Sequence, residues 1–198
     1  NMQIPISWVN EIVKIENIQL DFLIEKLTLG GFEVEEVIEL EVNNQKQITL
    51  NVSATANRSD SLSIQGLSLE IAALLNKSIE ISDYSSKSNN WKQYIEERTT
   101  SITNSDTNCS IFLAIIVENF SNTTVPKWIT QKLINSGIIP SYDLSDFQDY
   151  VMLETGYPFC IYDFGKMCSK LKTSNINLSV SSGKSEQSFL ATNNLTYE

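Results

Sequence analysis

The sequence predicts an α+β fold in two parts: a small helical domain carrying a β-hairpin, followed by a second, truncated α+β domain. Three observations carry this. Apolar residues recur at helical spacing around Leu20–Leu29 and again before Leu75, residues 32–42 mostly alternate apolar with acidic, and a polar stretch from Ser82 to Asn108 divides the chain. The length of 198 residues suits one ordinary domain or two small ones, and 41% hydrophobic with 19% charged residues is the composition of a chain that folds.

Ile4-Pro5-Ile6 reads as a short extended piece leading into a helix capped by Ser7, whose oxygen can accept from the free amides of a first turn. A second helix is expected over Leu20–Leu29, with Leu20, Leu23, Ile24, Leu27 and Leu29 near one face and Gly30-Gly31 as its left-handed stop. Phe32 to Val42 has the period of a half-buried strand, and Gln47–Val52 is its expected partner across a turn at Asn43-Asn44-Gln45-Lys46. A longer helix is expected from about Asp60 to Leu75, with Leu62, Leu67, Leu69, Ile71, Leu74 and Leu75 as its apolar side. These elements define a first domain over 2–85, and the Ser-, Asn- and Lys-rich residues 86–108 read as a linker with aromatic anchors at Trp91 and Tyr94.

The second domain, 109–198, opens with the apolar run Cys109–Val117, read as a buried strand. Pro126 begins a helix carrying Trp128, Ile129, Leu133 and Ile134 that Gly137 ends. Another helix is expected from about Leu144 to Glu154, then the turn Gly156-Tyr157-Pro158 and a strand over Phe159–Tyr162. Short strands are expected at Ile176–Ser179 and within Phe189–Tyr197, with no closing element, hence the expectation of a truncated domain. Asn1 stands before Met2 and is read as an added residue outside the fold.

Composition excludes several function classes. The net charge is −10, the pI is near 4.5, and Arg58 and Arg98 are the only arginines, which argues against strong non-specific binding to a phosphate backbone; no DNA partner is expected. No apolar run is long enough for a bilayer span and no signal-peptide order opens the chain, so an intracellular protein is expected. Cys109, Cys160 and Cys168 form no CxxC pair, which makes zinc improbable and reduced thiols the expectation. There is no histidine, which removes Ser-His-Asp and Cys-His catalysis and histidine metal sites from this chain. Chemistry here would have to use carboxylates, backbone amides or a bound water.

Ile4-Pro5-Ile6-Ser7-Trp8, then Leu27-Thr28-Leu29-Gly30-Gly31-Phe32-Glu33-Val34-Glu35, resembles the start of the bacterial-type β subunit of phenylalanyl-tRNA synthetase, where a helical B1 domain begins this way. Ala56-Asn57-Arg58-Ser59-Asp60-Ser61-Leu62-Ser63-Ile64-Gln65-Gly66 is similar to the family's Asn-Arg-x-Asp-x-Leu-Ser-x-x-Gly signature. Tyr150-Val151-Met152-Leu153-Glu154-Thr155-Gly156-Tyr157-Pro158 looks like the centre of the B3/B4 editing domain, and Pro126–Ile129 and Ser136–Pro140 match the segments before it. The signature residues are thus Asn57, Arg58, Asp60, Gly66, Tyr150, Glu154, Gly156 and Pro158. The tRNA-binding OB-type insert of bacterial β subunits is expected to be absent, because only about a dozen residues join the segments that flank it.

The resemblance implies a fragment of a ligase that joins phenylalanine to tRNA-Phe with ATP and Mg²⁺, the aminoacylation site lying on a partner α subunit. No cofactor and no metal is expected in the fragment itself. It also implies editing of Tyr-tRNA-Phe by B3/B4, but the family's Thr-Asn pair is replaced by Gln148 and Asp149, its histidine after the turn by Cys160, and its early arginine by Ile111. A cysteine is a poor hydrogen-bond donor, and Asp149 adds negative charge where an RNA 3′ end would lie, so editing is expected to be lost or weakened. A second reading makes the fragment a non-catalytic scaffold or tRNA-positioning module. The scarcity of arginine and the bias toward Asn, Ile and Lys fit an A+T-rich plastid genome, with bacterial cytoplasm as the alternative.

Several residues keep two readings. Cys160 could be a nucleophile, although no histidine is available as base and Asp149 and Asp163 are close in sequence; the plainer reading is a buried small hydrophobe. Arg58 could touch tRNA or a partner, or form an ion pair with Asp60 at a helix start. Trp8, Trp91 and Trp128 could stack a base or fill a core or domain interface. Glu33, Glu35, Glu36, Glu39 and Glu41 could suggest a cation site but have the period of a solvated strand face.

Overall fold

The computed structural model describes residues 1–42, 44–81, 101–118, 124–184, 187–191 and 194–197. They form two compact units, one of residues 1–81 and 124–161, the other of 101–118 and 162–197. The predicted α+β class holds, with helices and small sheets in the same chain.

In the first unit β1 (Met2–Pro5), β2 (Phe32–Val42) and β3 (Gln45–Ala54) make an antiparallel sheet with β3 in the middle. Ile4 lies opposite Leu50, Val34 opposite Val52, and a bulge between Val34 and Glu36 resets the register so that Val37 faces Leu50. The glutamates of β2 are exposed, the solvated face that their period predicted, and Lys46 pairs with Glu39 across the hairpin at 2.7 Å. Two residues separate β2 from β3, so Gln45 and Lys46, expected in the turn, belong to the strand. No domain stands between these two strands.

Helices α1 (Ile6–Ile12) and α2 (Leu20–Leu29) pack on the sheet, and α3 (Ile64–Leu75) packs against both of them. Ser7 does not cap α1: the helix starts at Ile6, two residues earlier than a Ser7 cap would give, after Pro5, whose fixed φ of −67° suits the entry and which has no N–H to satisfy. The helix expected from Asp60 divides in two. A 3₁₀ segment over Ala56–Ser61 precedes α3, which Ser63 caps by accepting from the Gly66 N–H at 2.9 Å. Capping at 63 also rotates the buried face onto Ile64, Leu67, Ser68, Ile71 and Ala72, and Leu69, expected inside, is exposed.

Helices α4 (Lys127–Asn135) and α5 (Ser145–Thr155) come from later in the chain yet share this core. Ile129, Leu133 and Tyr150 join Ile4, Trp8, Leu27, Phe32, Val52 and Leu67 in one apolar cluster. The Thr49 hydroxyl donates to the Asn135 carbonyl at 2.7 Å in the interior, which ties β3 to the end of α4.

The second unit holds α6 (Phe164–Leu171), the parallel pair β4 (Ile102–Asn104) and β5 (Leu178–Val180), and the antiparallel pair β6 (Phe189–Leu190) and β7 (Thr196–Tyr197). Residues 82–100 of the polar stretch, with Trp91 and Tyr94, lie outside the described residues, whereas β4 falls within its last part. Cys109–Val117 is not a buried strand: no described strand pairs with it, and Leu113 is 83% exposed. Its apolar character encodes a tendency to be covered and cannot itself supply the cover. The expected strand Phe159–Tyr162 is also absent as a ladder, and α6 was missed, although Asp163 caps it by accepting from the Lys166 N–H.

Candidate functional site

Helix α5 carries two of the predicted site residues, and its start is held by an aspartate. Asp146 is fully buried and accepts from the Ser141 and Tyr142 amides at 2.8 and 2.9 Å, which folds the preceding loop over the helix N-terminus. Two residues later Gln148 uses its Oε1 to accept from the Ile161 N–H at 3.0 Å. That bond holds Ile161, in the segment after Pro158, against α5.

Cys160 is exposed, which corrects the reading of it as a buried hydrophobe. The cause is local: the segment is anchored by one side-chain bond to Gln148 instead of a strand ladder, so Tyr157, Phe159, Cys160 and Ile161 all face solvent. Asp149 is half-buried, and its carboxyl is pushed above the usual aspartate value, first by burial and then by the negative charges of Asp146 and Asp143. The cluster therefore offers a glutamine whose oxygen is engaged, a carboxylate short of positive charge, and a thiol. Ile111 belongs to the second unit and is exposed.

The signature residues near the first unit's hairpin build local structure. Arg58 pairs with Glu70, donates to the Ser61 hydroxyl at 3.3 Å, and lies 5.3 Å over the Phe32 ring, so it joins the 3₁₀ segment to α3 and β2. Asn57 accepts from the Thr55 hydroxyl at 2.7 Å. Gly66 sits where a Cβ would meet the Ser61 carbonyl oxygen at 2.9 Å, a backbone contact that only glycine relieves. Gly156 ends α5 at φ +77°. Nothing is described of the Asp60 side chain, and Pro158 is exposed.

Sequence reasoning missed a cluster where three distant segments meet. The Trp8 and Tyr150 rings stack at 5.4 Å, Trp128 meets Tyr150 edge-on at 5.3 Å, and the Lys132 ammonium lies 4.9 Å from Trp8, 5.5 Å from Trp128 and 5.9 Å from Tyr150. Lys132 also pairs with Glu11 at 2.7 Å. A cleft of about 240 Å³ opens beside it, lined among others by Glu11, Glu80, Trp128, Lys132 and Glu154. The spacing of Trp128 and Lys132, four apart on one helix, was the available sign; the pairing with Trp8 had none. Trp8 is a core residue, and Trp128 is half exposed at its rim.

Residues 108–198 match the family description of the B3/4 domain. Over 197 residues, all of this chain, the sequence is 53% identical to a chloroplastic phenylalanine–tRNA ligase β subunit of Phaeodactylum tricornutum. The chain belongs to this β-subunit family. It is 33% identical to the chloroplastic phenylalanine–tRNA ligase β subunit of Porphyra purpurea over 189 residues, 94% of this chain, and 30% identical to the phenylalanine–tRNA ligase β subunit of Bacillus subtilis over 123 residues, 61% of this chain. It spans 28%, 25% and 15% of those relatives, about a quarter of the length of the plastid ones. Among the described residues no three His, Cys, Asp or Glu side chains converge as metal ligands, and no helix is long and apolar enough to cross a membrane.

Proposed function

We propose that this chain is the N-terminal portion of a plastid phenylalanine–tRNA ligase β subunit that supports aminoacylation of tRNA-Phe on a partner α subunit, while its own editing pocket has lost or reduced hydrolysis. ATP and Mg²⁺ act elsewhere in the whole enzyme, and no step is assigned to them here. The plastid assignment follows the chloroplastic relatives and the A+T-type composition. The domain division at 2–85, 86–108 and 109–198 remains part of this reading, with 124–161 packed on the first domain.

One consideration carries the editing argument: at the positions that the resemblance assigns to editing, Gln148 has its amide oxygen engaged, Asp149 adds a carboxylate, and Cys160 stands in place of a histidine. Ester hydrolysis needs a water oriented toward the carbonyl and a group to take its proton. A carboxylate among other carboxylates also repels the phosphates of an incoming 3′ end. The second reading, a scaffold with no hydrolytic role, is favoured by Arg58, Gly66, Tyr150 and Gly156, all of which serve packing or turns.

The test is tyrosine release from Tyr-tRNA-Phe by the full-length β subunit with its α subunit. Release at the uncatalysed rate is expected, with Phe-tRNA synthesis intact. Rapid release abolished by Gln148→Ala or Asp149→Ala would restore an editing role.

A further inference from the structure

We propose that the cleft beside Lys132 docks an arginine-bearing, basic segment of a partner protein, its guanidinium on the exposed side of Trp128 and its charge met by Glu80 and Glu154. This goes beyond the ligase reading and does not depend on it. The first argument is charge. Of the carboxylates lining the cleft, Glu11 is already neutralised by Lys132 at 2.7 Å, Glu80 has only a 3.9 Å contact with Lys14, and half-buried Glu154 has no ion-pair partner among the described residues. Exposed Glu80 and half-buried Glu154 thus leave negative charge on the cleft wall that an incoming positive charge can meet.

The second argument is the rings. The same walls already hold a cation, because the Lys132 ammonium sits within 4.9 to 5.9 Å of three ring centroids. Trp8 and Tyr150 are covered, but Trp128 is 54% exposed and so keeps indole surface open to a second cation. A guanidinium fits better than an ammonium, since it stacks flat on an indole while its edge N–H groups reach carboxylates. The phosphates of a nucleic acid would face Glu80, Glu154 and a chain of net charge −10.

The experiment titrates the whole chain with an acetylated and amidated Gly-Arg-Gly-Arg-Gly peptide, its Lys and Glu counterparts, and oligouridine, read by calorimetry and tryptophan fluorescence. Saturable, salt-sensitive binding in the order Arg, Lys, then no Glu binding is expected. Glu154→Gln and Trp128→Ala should each weaken it by about tenfold or less, the scale of one partly desolvated cation–π or charge contact. Trp128→Phe should restore part of the loss, and Glu39→Gln on the distant hairpin should change nothing. Lys132→Met removes the competing ammonium and should tighten Arg-peptide binding several-fold. Absence of saturable binding, equal binding of the Glu peptide, or oligouridine binding that Lys132→Met weakens would each overturn the proposal, the last by assigning the cleft to nucleic acid.

Discussion

The two units use similar residues to opposite effect. In residues 1–81 and 124–161 the apolar side chains of β3, α1–α4 and α5 interlock, with Leu27, Val52, Leu67 and Leu133 completely covered. In 101–118 and 162–197 Ile176 is the only buried apolar residue among those described, and Leu113, Ile115, Phe189 and Leu190 face outward. The second unit is only somewhat less apolar in sequence, but its described strands are two or three residues long and paired in twos, which is too little sheet to form a covering layer. Burial is a property of what packs opposite, and the first unit has an opposite side assembled from two distant stretches of chain.

Leu133→Ala is the strongest way to break this contrast. It should cost about 2–5 kcal/mol in urea unfolding, whereas exposed Leu113→Ala should stay within about 0.5 kcal/mol. Equal costs would mean that the second unit has a core of its own. Next, Gly66→Ala should cost about 1–3 kcal/mol because the added methyl meets the Ser61 backbone, while Gly183→Ala, with open space around it, should have almost no effect. A silent Gly66→Ala would place the slack in the first unit.

The smallest effect is in pH dependence, and it has opposite signs in the two units. Asp149 has a raised folded-state pKa, so its ionisation lowers stability as pH rises from 3.8 through that higher value. Asp149→Asn should therefore raise the melting temperature slightly at pH 7, the gain vanishing below pH 3.8. Asp163 is lowered, chiefly by the Lys166 amide, so its contribution is present above 3.8 and is lost as pH falls through the folded value. Asp163→Asn should lower the melting temperature slightly at pH 7 and converge with the parent in acid.

Local features were legible. The helix Leu20–Leu29 matches its predicted limits because an apolar stripe with two glycines after it has few alternatives. The hairpin was legible from alternation, and the turn glycine at 156 from its place after the helix. Helix α6 was less so, because its apolar residues Phe164, Met167, Cys168 and Leu171 are few and none is buried. Of the candidate site, Gln148 and Asp149 were placed on their helix correctly, but exposure of Cys160 depended on whether residues 159–162 found a strand partner, which no residue type announces.

The sequence by itself determined the family, the α+β class, the absence of histidine chemistry and the existence of the hairpin, since these follow from residue identity and short-range periodicity. Tertiary structure alone decided that Arg58 pairs with Glu70, that Gln148 holds Ile161, and that Lys132 lies among Trp8, Trp128 and Tyr150. Apart from Lys132 and Trp128, four apart on one helix, such contacts join residues from 12 to more than 100 positions apart, and the chain fixes them only when a shared apolar core offsets the entropy of bringing those segments together.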